Sequence, residues 1–462
     1  MKTLSLALRN LLRNRRRSLT TLIAMIIGAS SILLFGGYSR NITYGLQTGF
    51  VQRSGHLQIQ HKEFFLYGNG NPAAYGIAGY QRIIDVVKQD PVLKPMLTVV
   101  TPTLQLSGIA GNFAAGVSRT VVGSGVVVSD QNEMRKWNDY DFPLQPKPLA
   151  LTGTNQDSAV IGVGVARVLE LCGPLKIANC PQSPKKREAS APRAPEDIAA
   201  LSALEQTDKP SGNDTRIEML AANVHGAPNV VGLIVAKAEM QGMKEFDDMY
   251  IGLHLTQAQQ LIYGKATPQA TAVVLQLQHT GQIPAARVRL QELLNTTFSD
   301  QALEIQDFAA LNPLYGQSIA MFGAIFSFIA LLIGAIVLFT VGNTMSMAVV
   351  ERTVEIGTLR AIGLRRGGIR RLFICEGFLL GLIGAALGVL VSLVLSVVVN
   401  HSGLTWTPPG WVTPVPLTVH VWGETGLMLG SALGLLLVVV LSAWWPAKRA
   451  ARMIIVDALR HV

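Results

Sequence analysis

Four stretches of the chain are apolar for long enough to cross a membrane. Ser18–Tyr38, Ile319–Val350 and Thr425–Pro446 carry no charged residue, and Leu372–Asn400 carries one, Glu376. Each reaches the roughly 20 residues that span a hydrocarbon core of about 30 Å. The core of a soluble protein rarely excludes charge over such lengths. The pattern therefore predicts four transmembrane α-helices. A large interval separates the first from the second, and its pattern is that of an α+β domain.

Within that interval His56–His61 alternates Leu57 and Ile59 with polar neighbours, as a half-buried strand does. Thr120–Ser129, Val230–Ala236 and Thr271–Gln278 also read as strands. Tyr80–Lys88 and Pro284–Leu294 read as amphipathic helices, and Ala159–Leu171 as strand, glycine turn and helix. Residues 181–214 are rich in Pro, Ser, Ala, Lys and Glu and poor in large apolar residues, the composition of a disordered insertion. Ile42, Leu46 and Phe50 continue the first span at helical spacing. The second uncharged run would be about 48 Å long as a helix. Both are expected to project beyond the membrane as a stalk, the alternative being that Ile319–Ala324 forms a separate interfacial turn.

Charge sets the orientation. Of the 39 Lys and Arg residues, 16 lie before the first span, between the second and third, or after the fourth. The turn at 401–424 has none. The positive-inside rule then places both termini and the middle loop in the cytoplasm. Residues 40–318 carry a net charge of −1. The formal +10 thus reflects topology, with anionic lipid as partner rather than nucleic acid. The expected divisions are 1–17 as a cytoplasmic amphipathic helix, and 18–38, 319–350, 372–400 and 425–446 as the spans. Residues 39–318 form the extracytoplasmic α+β domain, 351–371 a cytoplasmic loop, 401–424 an outer loop and 447–462 a cytoplasmic tail. The first span reads as an uncleaved anchor, because its apolar run exceeds that of a signal peptide. Leu4, Leu8, Leu11 and Leu12 upstream share a helical face, as in a helix lying in the interface.

The middle loop, ERTVEIGTLRAIG over Glu351–Gly363, reads as a short helix. Glu351 and Glu355 lie near its start and Arg360 near its end, matching the helix dipole. Gly363 is placed to cap it, and Gly367-Gly368 to break the chain again. Ile356, Leu359 and Ile362 share a face that suits either a groove on a soluble partner or the lipid surface. Glu376 is expected to pair with Arg370 or Arg371 near the interface. Gly384 with Gly388, and Gly430 with Gly434, have the spacing of close helix contacts. Pro446 is expected to end or kink the fourth span, with Ala447, Ala451, Ile454 and Ala458 sharing a face of a further short helix. In an oxidising compartment Cys172 and Cys180 are placed to close a small loop, worth roughly 2.5 kcal/mol, the alternative being two free thiols. Cys375 is read as packing. No zinc-site spacing, phosphate loop, G-x-S-x-G or H-E-x-x-H occurs, so no metal or catalytic residue is expected.

The stretch ERTVEIGTLRAIGLRRGGIRRLFICEGFLLGLIGAALG and the ending WWPAKRAARMIIVDALR resemble the signature of the FtsX/MacB-type ABC transporter permeases. SGHLQIQ after the first span, DSAVIGVGVARVLEL and the stretch from Gly232 to Ile262 are also similar to the family. The resemblance covers residues 318–462 most specifically, and the 181–214 insertion departs from it. It implies a bacterial inner-membrane subunit with a periplasmic outer domain. Two permease chains, identical or different, would pair with a cytoplasmic ATPase dimer that binds the ATP and Mg. No cofactor is implied on this chain. It also implies that Glu351, Arg352, Glu355, Ile356, Gly357, Leu359, Arg360, Ala361, Ile362 and Gly363 form a coupling helix on the ATPase. Mechanotransmission to the outer domain would follow. Three activities fit the family: lipoprotein release, as in its LolC/LolE-like members, with a periplasmic carrier; MacB-like export with a periplasmic adaptor; and FtsX-like control of a cell-wall hydrolase. The first is favoured here, since long uncharged helices suit acyl chains.

Overall fold

The computed structural model describes the chain except Met1, Asn14 and residues 143–145, 178–179, 181–214, 408–413 and 456–462. The expected insertion at 181–214 therefore lies outside the described residues, as do Ala458 and parts of the 401–424 loop and the C-terminal tail. In chain order the longer helices are α1 (Lys2–Arg13), α2 (Arg15–Ser54), α3 (Tyr80–Gln89), α4 (Val128–Met134), α5 (Val163–Val168), α6 (Leu255–Tyr263) and α7 (Ile283–Thr296). They continue with α8 (Pro313–Glu351), α9 (Thr353–Ala361), α10 (Arg366–His401) and α11 (Thr425–Arg452). Four of these, α2, α8, α10 and α11, are long and apolar enough to cross a membrane. Helix is the only open-chain form that pairs all its own backbone groups in hydrocarbon. With 40 and 39 residues, α2 and α8 are each about 60 Å long. Ile319–Ala324 lies inside α8 and makes no separate turn.

Residues 1–45, 314–406 and 416–462 form one compact unit. Its core joins Met25 and Ala29 of α2, Val337 and Val341 of α8, Leu380 of α10 and Val439 and Ala443 of α11. Glycines on α10 permit the close approach. A Cβ at Gly384 would lie 2.8 Å from Met25 Cβ, and one at Gly388 would lie 2.3 Å from Ala29 Cβ. About two turns earlier Gly377 meets Ala443 and Gly381 meets Leu436 and Val439, a contact that the expected glycine pairs do not include. Gly430 and Gly434, expected to pack, face open space, and a Cβ added at either would meet nothing within 4 Å. Glycine spacing cannot say which face of a helix meets a neighbour. Pro446 does not end α11, which runs on to Arg452. Ala447, Ala450 and Ala451 pack there against Val349, Ile356 and Phe373, and this burial carries the helix past one missing backbone donor. Ile454 is exposed, and the end of the expected further helix, with Ala458, lies outside the described residues. Gly367 and Gly368 sit in the first turn of α10 rather than breaking the chain.

Residues 46–313, with 407–415, form the second unit. Its strands are β1 (Leu57–His61), β2 (Leu97–Asn112), β3 (Val117–Val126), β4 (Ser158–Gly162), β5 (Arg216–Ala222), β6 (Pro228–Glu239), β7 (Tyr250–His254), β8 (Ala272–Leu277) and β9 (Leu303–Asp307). Their order is β3-β7-β4-β6-β5-β2-β8-β1-β9, and a further β2–β3 pairing closes the first six into a ring. β2 belongs to both halves. Its start pairs with β8, and its end pairs with β3 and β5. Leu104, Leu106, Ile161, Met219 and Leu253 fill the ring, with α5 and α6 against them. Ile83, Val87, Leu290 and Leu294 of α3 and α7 cover the β2-β8-β1-β9 sheet. β1 lies between β8 and β9 and is buried on both faces, with Leu57 and Ile59 in the apolar core on one side and, on the other, Gln58 bonded to Ser54 O and Gln60 to Gln58 Oε1.

The end of α2 is bolted to this sheet. Gln52 donates to Trp137 O at 2.8 Å, and Gln276 donates to Met134 O at 3.0 Å. His56 is fully buried against the Trp137 ring, with centroids 4.9 Å apart. In the ring of strands, Gly123 of β3 faces β7. A Cβ there would sit 1.6 Å from Ile251 O, a backbone atom that cannot swing away. Gly123→Ala is expected to destabilise this unit by about 3 kcal/mol, the upper end of overpacking costs. Amide hydrogen exchange in the full chain should quicken across β3 and β7, and unchanged protection there would refute the expectation.

Candidate functional site at the α9 helix

α9 follows α8 after one residue, Arg352, which departs from helical geometry at φ −102°. The bend is tight, since Arg352 N–H still donates to Ala348 O and Ile356 N–H to Arg352 O. The Arg352 side chain is buried, with the whole residue 7% exposed. Its Nη1 meets Glu376 Oε1 at 3.0 Å and Oε2 at 3.3 Å. Its Nη2 donates to Asn10 O at 3.1 Å, and Asn10 Nδ2 donates to Glu376 Oε1 at 2.6 Å. One buried node thus fastens α1, the α8–α9 junction and α10 together. Glu376 does not pair with Arg370 or Arg371. Those lie six and five positions earlier on the same helix, off the row that faces Glu376, and Arg370 lies over the Trp444 ring.

Around the node lie two more exposed pairs, Glu351 with Arg17 and Glu355 with Arg13. Arg360 donates to Met453 O, tying the last turn of α9 to the chain that follows α11. Gly363 adopts φ +105°, and Leu364 N–H returns to Leu359 O at 3.0 Å, closing the C-terminus in a Schellman arrangement.

The expected apolar docking face is divided. Ile356 is 3% exposed and packs with Val349, Ile369 and Phe373, with Leu359 half-buried beside it. Gly357 is buried too. Ile356, Gly357 and Arg352 are therefore turned into the chain, away from any partner surface. The outward row is Val354, Thr358, Ala361 and Ile362, spaced by four, three and one, with Ile362 80% exposed. Periodicity locates two apolar rows on α9 but cannot tell the inner from the outer. In the sequence, Arg13 and Arg17 bear only on topology and Asn10 carries no signal, because their partners lie more than 300 positions away.

On α1, Ala7 is fully buried, Leu11 packs on the transmembrane core, and Leu8 and Leu12 are exposed. The leucine row is thus split between core and surface. Elsewhere Cys172 and Cys180 are joined by a disulfide, and Cys375 is free and half-buried. Among the described residues no group of three or more His, Cys, Asp or Glu is placed to hold a metal ion.

Residues 319–455, which contain α9, most of α8 and all of α10 and α11, match the FtsX-like permease C-terminal family. With its four long apolar helices the chain has the character of a multi-pass membrane protein, and over these residues it is similar to FtsX/MacB-type ABC transporter permeases. Among similar proteins is the ABC transporter permease YtrF of Bacillus subtilis, 34% identical over 145 residues, which are 29% of this chain and 30% of that one. Another is the macrolide export ATP-binding/permease protein MacB of Bdellovibrio bacteriovorus, 28% identical over 246 residues, 50% of this chain and 34% of that one. The matches therefore span about a third of the length of these curated relatives.

Proposed function

We propose that this chain is the permease subunit of an ABC transporter and that α9 is the helix through which a separate cytoplasmic ATPase dimer drives it. The observation that carries this reading is the two-sidedness of α9. Arg352, the residue that leads into it, is held to α10 and α1 by a buried ion pair and a hydrogen bond, and its inner side packs Ile356 against Val349, Ile369 and Phe373. Its outer side offers Val354, Thr358, Ala361 and Ile362 to a groove. In this reading the termini and α9 lie in the cytoplasm of a bacterial cell, and the nine-stranded unit lies outside the inner membrane. A second permease chain completes the assembly. ATP and Mg stay on the ATPase, and the work done there reaches the outer unit through α2 and α8.

For the cargo, the favoured reading is a lipid-anchored protein lifted from the outer leaflet of the inner membrane, with a periplasmic carrier to receive it. Supporting it, α8 is the least buried of the four long helices and exposes Phe328, Leu331 and Phe339, surface of the kind an acyl chain can lie on. The relatives named as macrolide exporters favour a second reading, export of small molecules or peptides with an adaptor. Depleting the chain and following lipoproteins separates the two, since normal departure of lipoproteins from the inner membrane would sink the first.

The coupling assignment has its own test. Val354→Asp with Ile362→Asp is expected to abolish co-purification of the ATPase and lower ATP-dependent activity at least about tenfold, as loss of an interface anchor does. Protein level and disulfide content should stay unchanged. Charge reversal at Glu355 is likewise expected to stop transport without preventing folding. Retained ATPase binding in the double Asp variant would assign the outer face of α9 to lipid instead.

A further inference from the structure

α9 is joined to α8 through the chain itself, so displacement of α9 reaches α8 by covalent continuity. No such link joins α9 or the α8–α9 junction to α1 or α2. The links there are non-covalent contacts of side chains and one backbone oxygen. Arg13 at the end of α1 pairs with Glu355, and Arg17 in the first turn of α2 pairs with Glu351. Asn10 holds both members of the Arg352–Glu376 pair, one through its backbone oxygen and the other through its side-chain amide. Further along, Thr21 of α2 meets Thr344 of α8 at 3.1 Å. These contacts lie on successive turns of α1 and α2: Arg13 binds the first turn of α9, Asn10 the α8–α9 junction and α10, and Arg17 and Thr21 the last turns of α8.

We propose that α1 and the start of α2 form a clasp on the α8–α9 junction and the first turn of α9, with Asn10, Arg13 and Arg17 as positioning residues that deliver the motion of α9 to α2. The proposal rests on α9 being the coupling helix. The clasp makes α2 a second output of that helix beside α8. The partly exposed outer pairs are each weak and screened by salt, and the buried node sets the geometry in which they meet. Reversing the two arginines while the node remains should therefore loosen the clasp without unfolding the unit.

Two measurements on the full chain in nanodiscs test this. The first uses no ATPase. Arg13→Glu with Arg17→Glu is expected to raise amide hydrogen exchange over residues 353–361 about tenfold, and adding Glu351→Arg with Glu355→Arg should restore it to within about twofold. Exchange that does not change on the first reversal would overturn the clasp. The second uses the chain with its co-purified ATPase, in a Cys375→Ser background with an environment-sensitive fluorophore on a cysteine at Ile27 of α2 or Phe339 of α8, both exposed. With ATP and vanadate both labels should respond in the parent. In the Arg13→Glu, Arg17→Glu variant the Phe339 site should keep its response and the Ile27 site should lose at least about four-fifths of it. Equal responses at both sites in that variant would overturn the delivery to α2. Silence of both labels in the parent would instead overturn the coupling role of α9, with the exchange measurement still judging the clasp.

Discussion

Replacing Arg352 with alanine is expected to cost about 3–5 kcal/mol, because it leaves the Glu376 carboxylate buried at 3% exposure with Asn10 as its remaining partner. Glu376→Ala should cost a similar amount by stranding the guanidinium. Arg352→Met with Glu376→Leu should recover most of the loss, since an apolar pair of similar volume removes both desolvation penalties. Titration of the full chain with a denaturing detergent gives the ordering. An Arg352→Ala variant within about 1 kcal/mol of the parent would mean that the node is hydrated. The double variant also separates stability from work. It should fold, yet it lacks the directional bond that fastens α9 to α10, so its ATP-dependent activity should stay low.

The second large effect is acid lability of the nine-stranded unit. Leu277 N–H donates to His56 Nδ1 at 2.9 Å, which leaves Nε2, 3.3 Å from Thr280 Oγ1, as the protonated nitrogen of a neutral ring. Burial pushes the His56 pKa down to about 4, against an opposing pull from the Asp139 carboxylate. The unfolded chain titrates near 6.5 and so binds more protons than the folded one between the two values. Stability is therefore complete above about pH 6.5 and falls as the pH drops toward 4, by about 3 kcal/mol in all. His56 follows the end of α2 by two residues, and its N–H and C=O bond to Leu275 and Phe308. Loss should thus begin at the α2 joint. His56→Gln should flatten the dependence between pH 4 and 6.5 when unfolding is followed by exchange of β1 and β8 amides. An unaltered slope in that variant would assign the acid sensitivity elsewhere.

The four long helices are legible in the sequence because hydrocarbon imposes one requirement over some twenty consecutive residues. The strands at Ser158–Gly162 and Ala272–Leu277 are legible as β-branched runs. β2, the longest strand, is not. Its Pro102, Gly108 and Gly111 are the usual marks of a break, and only the pairing with β3, β5 and β8 shows that the strand runs through them. The position of the candidate site is legible too, as a charged helix between two spans. Its internal wiring is not. Sequence proximity assigns Glu376 to Arg370 or Arg371, whereas its guanidinium partner comes from the α8–α9 junction and its amide partner from α1.

By itself the sequence determined the class of protein, the four membrane helices, the existence of α9 and the family signature across residues 319–455. Those features are local. They depend on runs, spacings and composition within a few tens of residues. Only the tertiary structure decided which side of α9 is available, which glycines of α10 meet α2, and that Asn10, Arg13 and Arg17 reach α9 and its junction with α8. Each of those is a choice among faces of a helix or partners hundreds of residues apart. A periodic pattern leaves such choices degenerate until the helices pack.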